Sequence, residues 1–303
     1  MIKTQAFNHT FNRKPGFGLH FFDRQILKMV LMPKRKTSGD DNKLKQGRGQ
    51  GHGENYHPFN TVRDAKSSSR CHRYKGHKSK RLHHLQSDID RNYFFILEWS
   101  NTVLDIREQF PLELTETLSI ADRLKIKHPI DSMTNMPGVM TTSFLIDVLS
   151  EGQSIQKARS LTSSRQLGSP RLIALKEIER TYWTERGVDW GIVTELDIPI
   201  VLTKNISWIY KALKPESVPS LTAGSLSQIE TALFAEIKCN PGKPLAHAAL
   251  AVDGRLGLEA GSSLFIVKHL IATRQWKVDM CKEISTAQPL IFIRESENQE
   301  ETA

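Results

Sequence analysis

Cysteine is scarce in this chain. Cys71, Cys239 and Cys281 are an odd, scattered set with no CxxC pair among 303 residues. That pattern argues against a disulfide framework and against a cysteine-based structural zinc site, and a reducing, cytoplasmic setting is the default expectation. Long hydrophobic runs are also missing. A membrane helix needs about 20 mostly apolar residues. The longest apolar stretch near the N-terminus, Ile26 to Met32, is interrupted by Lys28 and followed by no small-residue cleavage site. The sequence therefore offers neither a membrane span nor a convincing signal peptide. Acidic residues are outnumbered, 33 Asp and Glu against 42 Lys and Arg, which leaves a formal net charge of +9. Such a balance favours a polyanionic partner, because basic side chains gain by releasing counterions from phosphates.

What is present suits a soluble protein of two domains, since 303 residues can bury more than one core. Met32 opens Met-Pro-Lys-Arg-Lys and is a second candidate start beside Met1, leaving residues 1–31 as an upstream extension. Residues 33–58 are charged, glycine-rich and poor in aliphatics, a composition that predicts a mobile arm or extended loop. Gly47-Arg-Gly-Gln-Gly-His-Gly has a phosphate-loop look, but no strand precedes it and no Gly-Lys-Ser/Thr ends it, so nucleotide binding is rejected. Residues 61–84 are strongly basic, with Asp64 the single acid among them. Gly76 suits a turn between short strands at Arg70–Tyr74 and Lys80–His84. A cluster of one sign and this density favours a phosphate-facing surface, with Arg70, Arg73, Lys78 and Arg81 as the DNA-binding candidates; a solvated hairpin is the competing reading.

Further on, helical spacing predicts a helix over Asp88–Trp99. Val103–Ile106 reads as a strand, Arg107–Leu112 as the loop leaving it, and Leu118–Leu124 as a short helix. Val139–Leu149 and Ser154–Leu161 form a hairpin about Glu151-Gly152. Pro170 opens a helix that Gly187 stops, and Asp189–Thr194 is a strand. This order gives an α/β domain with a mixed central sheet. From Pro199 onward, helices over Lys204–Leu213, Leu226–Ile237, Leu245–Val252 and Gly261–Thr273 precede β-like pieces at Trp276–Met280 and Leu290–Ile293. Three helices followed by a small hairpin is the pattern of a winged helix-turn-helix.

Several blocks, in order and spacing, resemble the TnsA family, the endonuclease subunit of heteromeric cut-and-paste transposons. They include Gly47-Arg-Gly-Gln-Gly-His-Gly with Tyr56-His-Pro, Arg81-Leu-His-His-Leu-Gln-Ser-Asp, and Val103-Leu-Asp-Ile-Arg-Glu-Gln-Phe-Pro-Leu. Others are Ile126-Lys-His-Pro, Val139-Met-Thr-Thr-Ser-Phe-Leu-Ile-Asp, Ala174-Leu-Lys-Glu-Ile-Glu-Arg-Thr-Tyr-Trp and Lys204-Asn-Ile-Ser-Trp-Ile-Tyr, with Leu256-Gly-Leu-Glu-Ala-Gly and Val278-Asp-Met towards the C-terminus. The resemblance implies an extension over 1–45, expected to be disordered, a restriction-endonuclease-like domain over 46–198, and a winged-helix-like, mostly α domain over 199–303. It also implies DNA at transposon ends, a DDE-type (TnsB-type) transposase and an ATP-dependent (TnsC-type) regulator as partners, and Mg²⁺ as cofactor.

Such a nuclease needs acidic oxygens around Mg²⁺ and a nearby lysine, so that the metal activates water and neutralises the scissile phosphate. The resemblance places the catalytic positions at Asp90, Ser143 and Thr162, with Asp90 and Ser143 as the metal positions. Asp90 stands for the family's Glu, shortening its reach by one methylene. Ser143 stands where the family has Asp, and Thr162 where it has Lys. Serine is a neutral, weak ligand for a hard cation, and threonine sets no charge against a phosphate. Asp147 shares a strand face with Ser143 but lies roughly 13 Å along it. Lys157 matches the family lysine only if the hairpin is shortened. Competing structural readings make Asp90 a solvent-facing helix-start carboxylate, Glu179 and Arg180 an exposed pair, and Arg107, Glu108 and Gln109 a loop brace. Phosphate contact or simple exposure would account for His83 and His84. The expectation is a TnsA-like subunit with its nuclease impaired or lost; the alternative is a non-enzymatic DNA-binding and scaffolding protein.

Overall fold

The fold comes from a computed structural model that describes residues 39–64, 70–131, 134–213 and 223–294. The alternative start at Met32, the arm residues 33–38 and Lys66 of the basic segment lie outside the described residues. The chain enters through α1 (Gly39–Lys45) and a strap carrying Gly47, Gly49, Gly51 and Gly53, all at positive φ. Composition predicts a mobile arm or loop here, but the described part packs down. Tyr56 and Phe59 are buried, and they supply the anchor that the polar residues around them lack. The Tyr56 hydroxyl donates to the Glu108 carbonyl at 3.0 Å, and the Phe59 amide to the Gln109 carbonyl at 3.2 Å. A side chain at Gly49, where φ is +85°, would put its Cβ 2.1 Å from the Pro111 ring. Gly49→Ala is therefore expected to cost about 1–3 kcal/mol, through overpacking against a ring that cannot rotate away, and to lower the urea midpoint.

Beyond the strap, β1 (His72–Lys75) and β2 (Leu82–Leu85) pair antiparallel, with His72 opposite Leu85. Ser87 in extended backbone then caps α2 (Asp88–Trp99), its side chain accepting from the Asp90 amide. A four-stranded sheet follows in the order β3 (Val103–Pro111), β4 (Thr141–Ser150), β5 (Gln153–Leu161), β6 (Asp189–Val193). The first two pairings are antiparallel and the last is parallel, so the central sheet is mixed. The β4–β5 turn uses Glu151 at φ 50° and Gly152 at φ 78°, the left-handed pair that a two-residue hairpin favours.

The strand β3 runs five residues past the expected end at Ile106. Gln109 takes φ 51°, which resets the alternation. Glu108 then meets Arg81 and His83, while Phe110 lies 5.9 Å from Trp183 between ring centres. A polar run read as a loop is thus a strand whose charges are satisfied internally. On one face of the sheet, α2 buries Phe94 and Phe95 against Ile106, Phe144 and Ile146. On the other, α3 (Leu114–Arg123) and α4 (Pro170–Thr184) bury Ile120, Ile178 and Trp183 against Leu145 and Ala158.

The C-terminal half comprises α5 (Ile200–Ile209), α6 (Ala223–Cys239), α7 (Leu245–Leu256) and α8 (Ser262–Ala272), then a two-residue ladder of β7 (Trp276–Lys277) and β8 (Ile293–Arg294). Its own core gathers Ile229, Leu233, Val252, Ile266, Leu270 and Trp276. Trp276 stacks on Phe292 at 3.9 Å. Ile206 of α5 and Tyr210 just after it are instead buried in the α2 core, and the Tyr210 hydroxyl donates to the Lys75 carbonyl at 2.9 Å.

Candidate nuclease centre

Two of the expected catalytic positions, Ser143 and Thr162, lie on neighbouring strands of the sheet. Ser143 sits at the start of β4, where its hydroxyl accepts from the Leu161 amide of β5 at 2.8 Å. Thr162 is the next residue after Leu161 and is buried, its hydroxyl donating to Gln166 Oε1 at 3.0 Å. Asp90 lies in the first turn of α2, and Tyr93 on the same helix places its ring 5.7 Å from that of Phe144, the neighbour of Ser143.

Asp90 is buried, not a solvent-facing carboxylate. Burial raises its carboxyl to about 6, against the lowering effect of hydrogen bonds from the Gln86 amide, at 2.9 Å, and from Ser87; the charge of Glu108 adds to the rise. The one acid at the centre is thus held towards its neutral form.

A divalent magnesium ion asks for near-octahedral oxygens, including one or two ionised carboxylates. Of the three positions only Asp90 carries a carboxylate; Ser143 and Thr162 offer neutral hydroxyls, each with one hydrogen bond already, to Leu161 and Gln166. This donor set does not fit Mg²⁺. A lysine does come near. Lys176 of α4 reaches the hydroxyl of Ser160, two residues before Thr162, but its ammonium is neutralised by Glu179 at 3.1 Å. Ser160 also donates to Glu179 at 2.8 Å, so this cation is tied into the sheet–helix interface and not offered to a phosphate. Glu179 is therefore buried with Lys176 and Ser160 rather than exposed with Arg180, which pairs with Glu177. Lys157 lies 3.7 Å from Asp189, spent on an exposed ion pair at the far end of β5.

The basic hairpin divides by alternation. Arg70 and Arg73 are exposed, as are Lys75 and Lys80. Arg81 is 8% exposed, gripped by both oxygens of Glu108 and donating to the Ile106 carbonyl at 2.8 Å. Its fixed fork fits a carboxylate, and the pair is shut away from any DNA. Lys78 donates to the Val103 carbonyl at 2.8 Å, and burial holds its ammonium below the ordinary lysine range. His83, for which surface phosphate contact or simple exposure was expected, is 0% exposed and bonds Glu108 and Ser79. Burial alone would raise the Glu108 carboxyl, but His83 and Arg81 outweigh it and hold the group far below the usual carboxylate range. Sequence reasoning missed this buried network. The signal was parity: once β3 is taken past Ile106, Glu108 falls on the inward face with it.

Comparison with known proteins gives the same answer from two directions. A family model described as "TnsA-like endonuclease N terminal" matches residues 100–195, and one described as "TnsA endonuclease C terminal" matches residues 197–280. The transposon Tn7 transposition protein TnsA of Escherichia coli is 37% identical over 240 residues, covering 79% of this chain and 85% of that protein. On these matches the chain belongs to the TnsA family of transposon endonucleases.

Proposed function

We propose that this chain serves a Tn7-type transposition complex as a TnsA-type subunit whose nuclease centre no longer assembles a magnesium site, and that it contributes by binding transposon-end DNA and by docking a TnsB-type transposase and a TnsC-type regulator. The observation that carries the reading is the donor set at Asp90, Ser143 and Thr162: a single buried carboxylate, made easier to protonate by burial, and two neutral hydroxyls. Purified with the transposase, the chain is expected to leave the 5′ strands of transposon ends uncut in Mg²⁺ or Mn²⁺. Strand-specific nicks at the ends, mapped on denaturing gels, would remove the basis of this proposal.

DNA affinity rests on other residues and survives loss of chemistry. Neutralising Arg70 and Arg73 together should flatten the salt dependence of end binding by up to about 2 in the slope of log K against log salt. Lys78 and Arg81 are spoken for inside the protein, so changing them should lower stability and leave the slope alone. An equal loss of slope from both pairs would refute this division.

The C-terminal half supports the docking role. Its last three helices, α6, α7 and α8, followed by a short ladder, are compatible with the expected winged-helix-like order. Its third helix, α8, is the element that such a domain would lay in a DNA groove, yet none of its residues is exposed. With no exposed residue along it, α8 suits a scaffold for protein contact better than a reader of bases.

A further inference from the structure

Three of the blocks that identify the family meet at a place the nuclease chemistry does not use. His52 comes from the glycine strap, Asp105 from β3 and Asp147 from β4. The His52 Nδ1 atom lies 4.0 Å from Asp105 Oδ2 and 3.8 Å from Asp147 Oδ2, and one donor atom from each of the three residues falls within 4.8 Å of the others. Among the described residues this is the group of histidine and carboxylate side chains that could close on one ion.

The carboxylates are aimed. Asp147 Oδ1 is held by Arg107 Nη2 at 2.5 Å and by Gln156 Nε2 at 3.1 Å, which leaves Oδ2 facing His52. Asp105 Oδ1 accepts from the Ile106 amide at 2.8 Å, and its Oδ2 takes the Gly53 amide at 2.9 Å while also facing His52. Donors hold Oδ1 of both carboxylates, and Asp105 Oδ2 accepts one N–H while keeping a lone pair towards His52; orienting ligand oxygens in this way is what outer-shell groups do around a metal ion. An independent sign lies beside them. The side chain of Arg107 is only 4% exposed, and its Nε, 3.8 Å from Asp105 Oδ2, is buried without a hydrogen-bond partner. A buried, unpaired N–H of this kind calls for an unseen water or ligand. A water on an ion at this site would accept from it.

We propose that His52, Asp105 and Asp147 bind a divalent first-row transition-metal ion, with zinc the best match, at a site separate from Asp90, Ser143 and Thr162. An imidazole with two carboxylate oxygens suits zinc or manganese better than magnesium, which prefers all-oxygen octahedra. Zinc bonds of about 2.0–2.2 Å place tetrahedral ligands roughly 3.4 Å apart. His52, 71% exposed on the strap, stands 4.0 and 3.8 Å from the two oxygens and can move in, while the carboxylate oxygens, within 4.8 Å of each other, draw together around the ion. Two carboxylates against one guanidinium leave a net negative site that an ion would neutralise, with a fourth position for water. The ion would pin the strap to β3 and β4, and the site stands whether or not the chain cuts DNA.

The test uses the full chain stripped with chelator and titrated with Zn²⁺ by calorimetry, and with Co²⁺ to read the visible band of a tetrahedral nitrogen and oxygen site. Uptake of a single ion is expected. His52→Ala should weaken it by at least about 10–100-fold, the range produced by loss of even an outer-shell partner. Asp147→Asn, which keeps an acceptor for Arg107, should also weaken it, and Asp90→Ala should leave it unchanged. His52 is exposed, so its removal leaves the fold intact, and thermal unfolding of the stripped variants checks this. Absence of uptake would overturn the proposal. Uptake that survives His52→Ala, or that Asp90→Ala abolishes, would overturn it equally.

Discussion

Ser143→Asp combined with Thr162→Lys is expected to confer 5′-strand cleavage at transposon ends in the presence of Mg²⁺ and the partner transposase, by roughly 100-fold or more over the unaltered chain. The magnitude follows from what one charge-stabilising group is worth at a reacting phosphate or carbonyl, about 10²–10³ in rate. The change is compatible with the local structure. An aspartate at 143 can still accept from the Leu161 amide with one oxygen and leave the other free for a metal, whose charge would hold Asp90 in its ionised form. Thr162→Lys gives up only the bond to Gln166. Ser143→Asp alone should gain much less, and Asp90→Ala in the double background should abolish the gain. Single-turnover assays on end DNA, read strand by strand, decide it. A double variant that folds and binds DNA but cuts no faster would show that the centre lies elsewhere.

Glu108→Gln should be the most damaging single change to stability, about 3–5 kcal/mol, because it strands the buried guanidinium of Arg81 and leaves His83 facing an amide. The cost has a pH signature. The folded carboxyl of Glu108 is depressed, so its stabilisation is fully present above the ordinary glutamate range near 4.5 and drains away as pH falls through the folded value. Urea midpoints of the unaltered chain should therefore drop steeply below about pH 4, whereas those of Glu108→Gln, already low, should fall less. The double change Arg81→Met with Glu108→Leu removes both charges and should recover much of the loss, since apolar replacements of buried ion pairs are often neutral. Equal destabilisation by the single and double variants would point to packing, not charge, as the role of this pair.

Much of this fold was legible beforehand because its signals are local. The helical spacing of Ile89, Tyr93, Ile96 and Leu97 marks α2, and Glu151-Gly152 marks the hairpin that sets Ser143 beside Leu161. The site positions followed from blocks adjacent in sequence. What stayed hidden depends on partners far along the chain. Arg81 is basic in a basic run and reads as a surface residue, and only Glu108 from another strand explains its burial. Glu179 reads as an exposed partner of Arg180 until Ser160 and Lys176 are placed against it. The strap is unreadable from composition, because two aromatic anchors among glycines and charges carry its packing.

The passage of α5 from one half to the other also bears on how this protein can be divided. Tyr210 is caged by rings that precede it by more than a hundred residues, 5.2 Å from Phe95 and 5.9 Å from Tyr74, and its hydroxyl grips the backbone of the basic hairpin. His77 bonds the Tyr210 carbonyl in return, and Arg274 reaches back to the Trp99 carbonyl. A cut before residue 199 is thus not a seam. It would tear Ile206 and Tyr210 out of the N-terminal core, leaving a hole in one fragment and a greasy flank on the other. The halves cannot swivel about the segment between them as beads on a string. A partner that tugs on the C-terminal helices pulls, through one tyrosine, on the strand whose outer residues face DNA in the proposed complex.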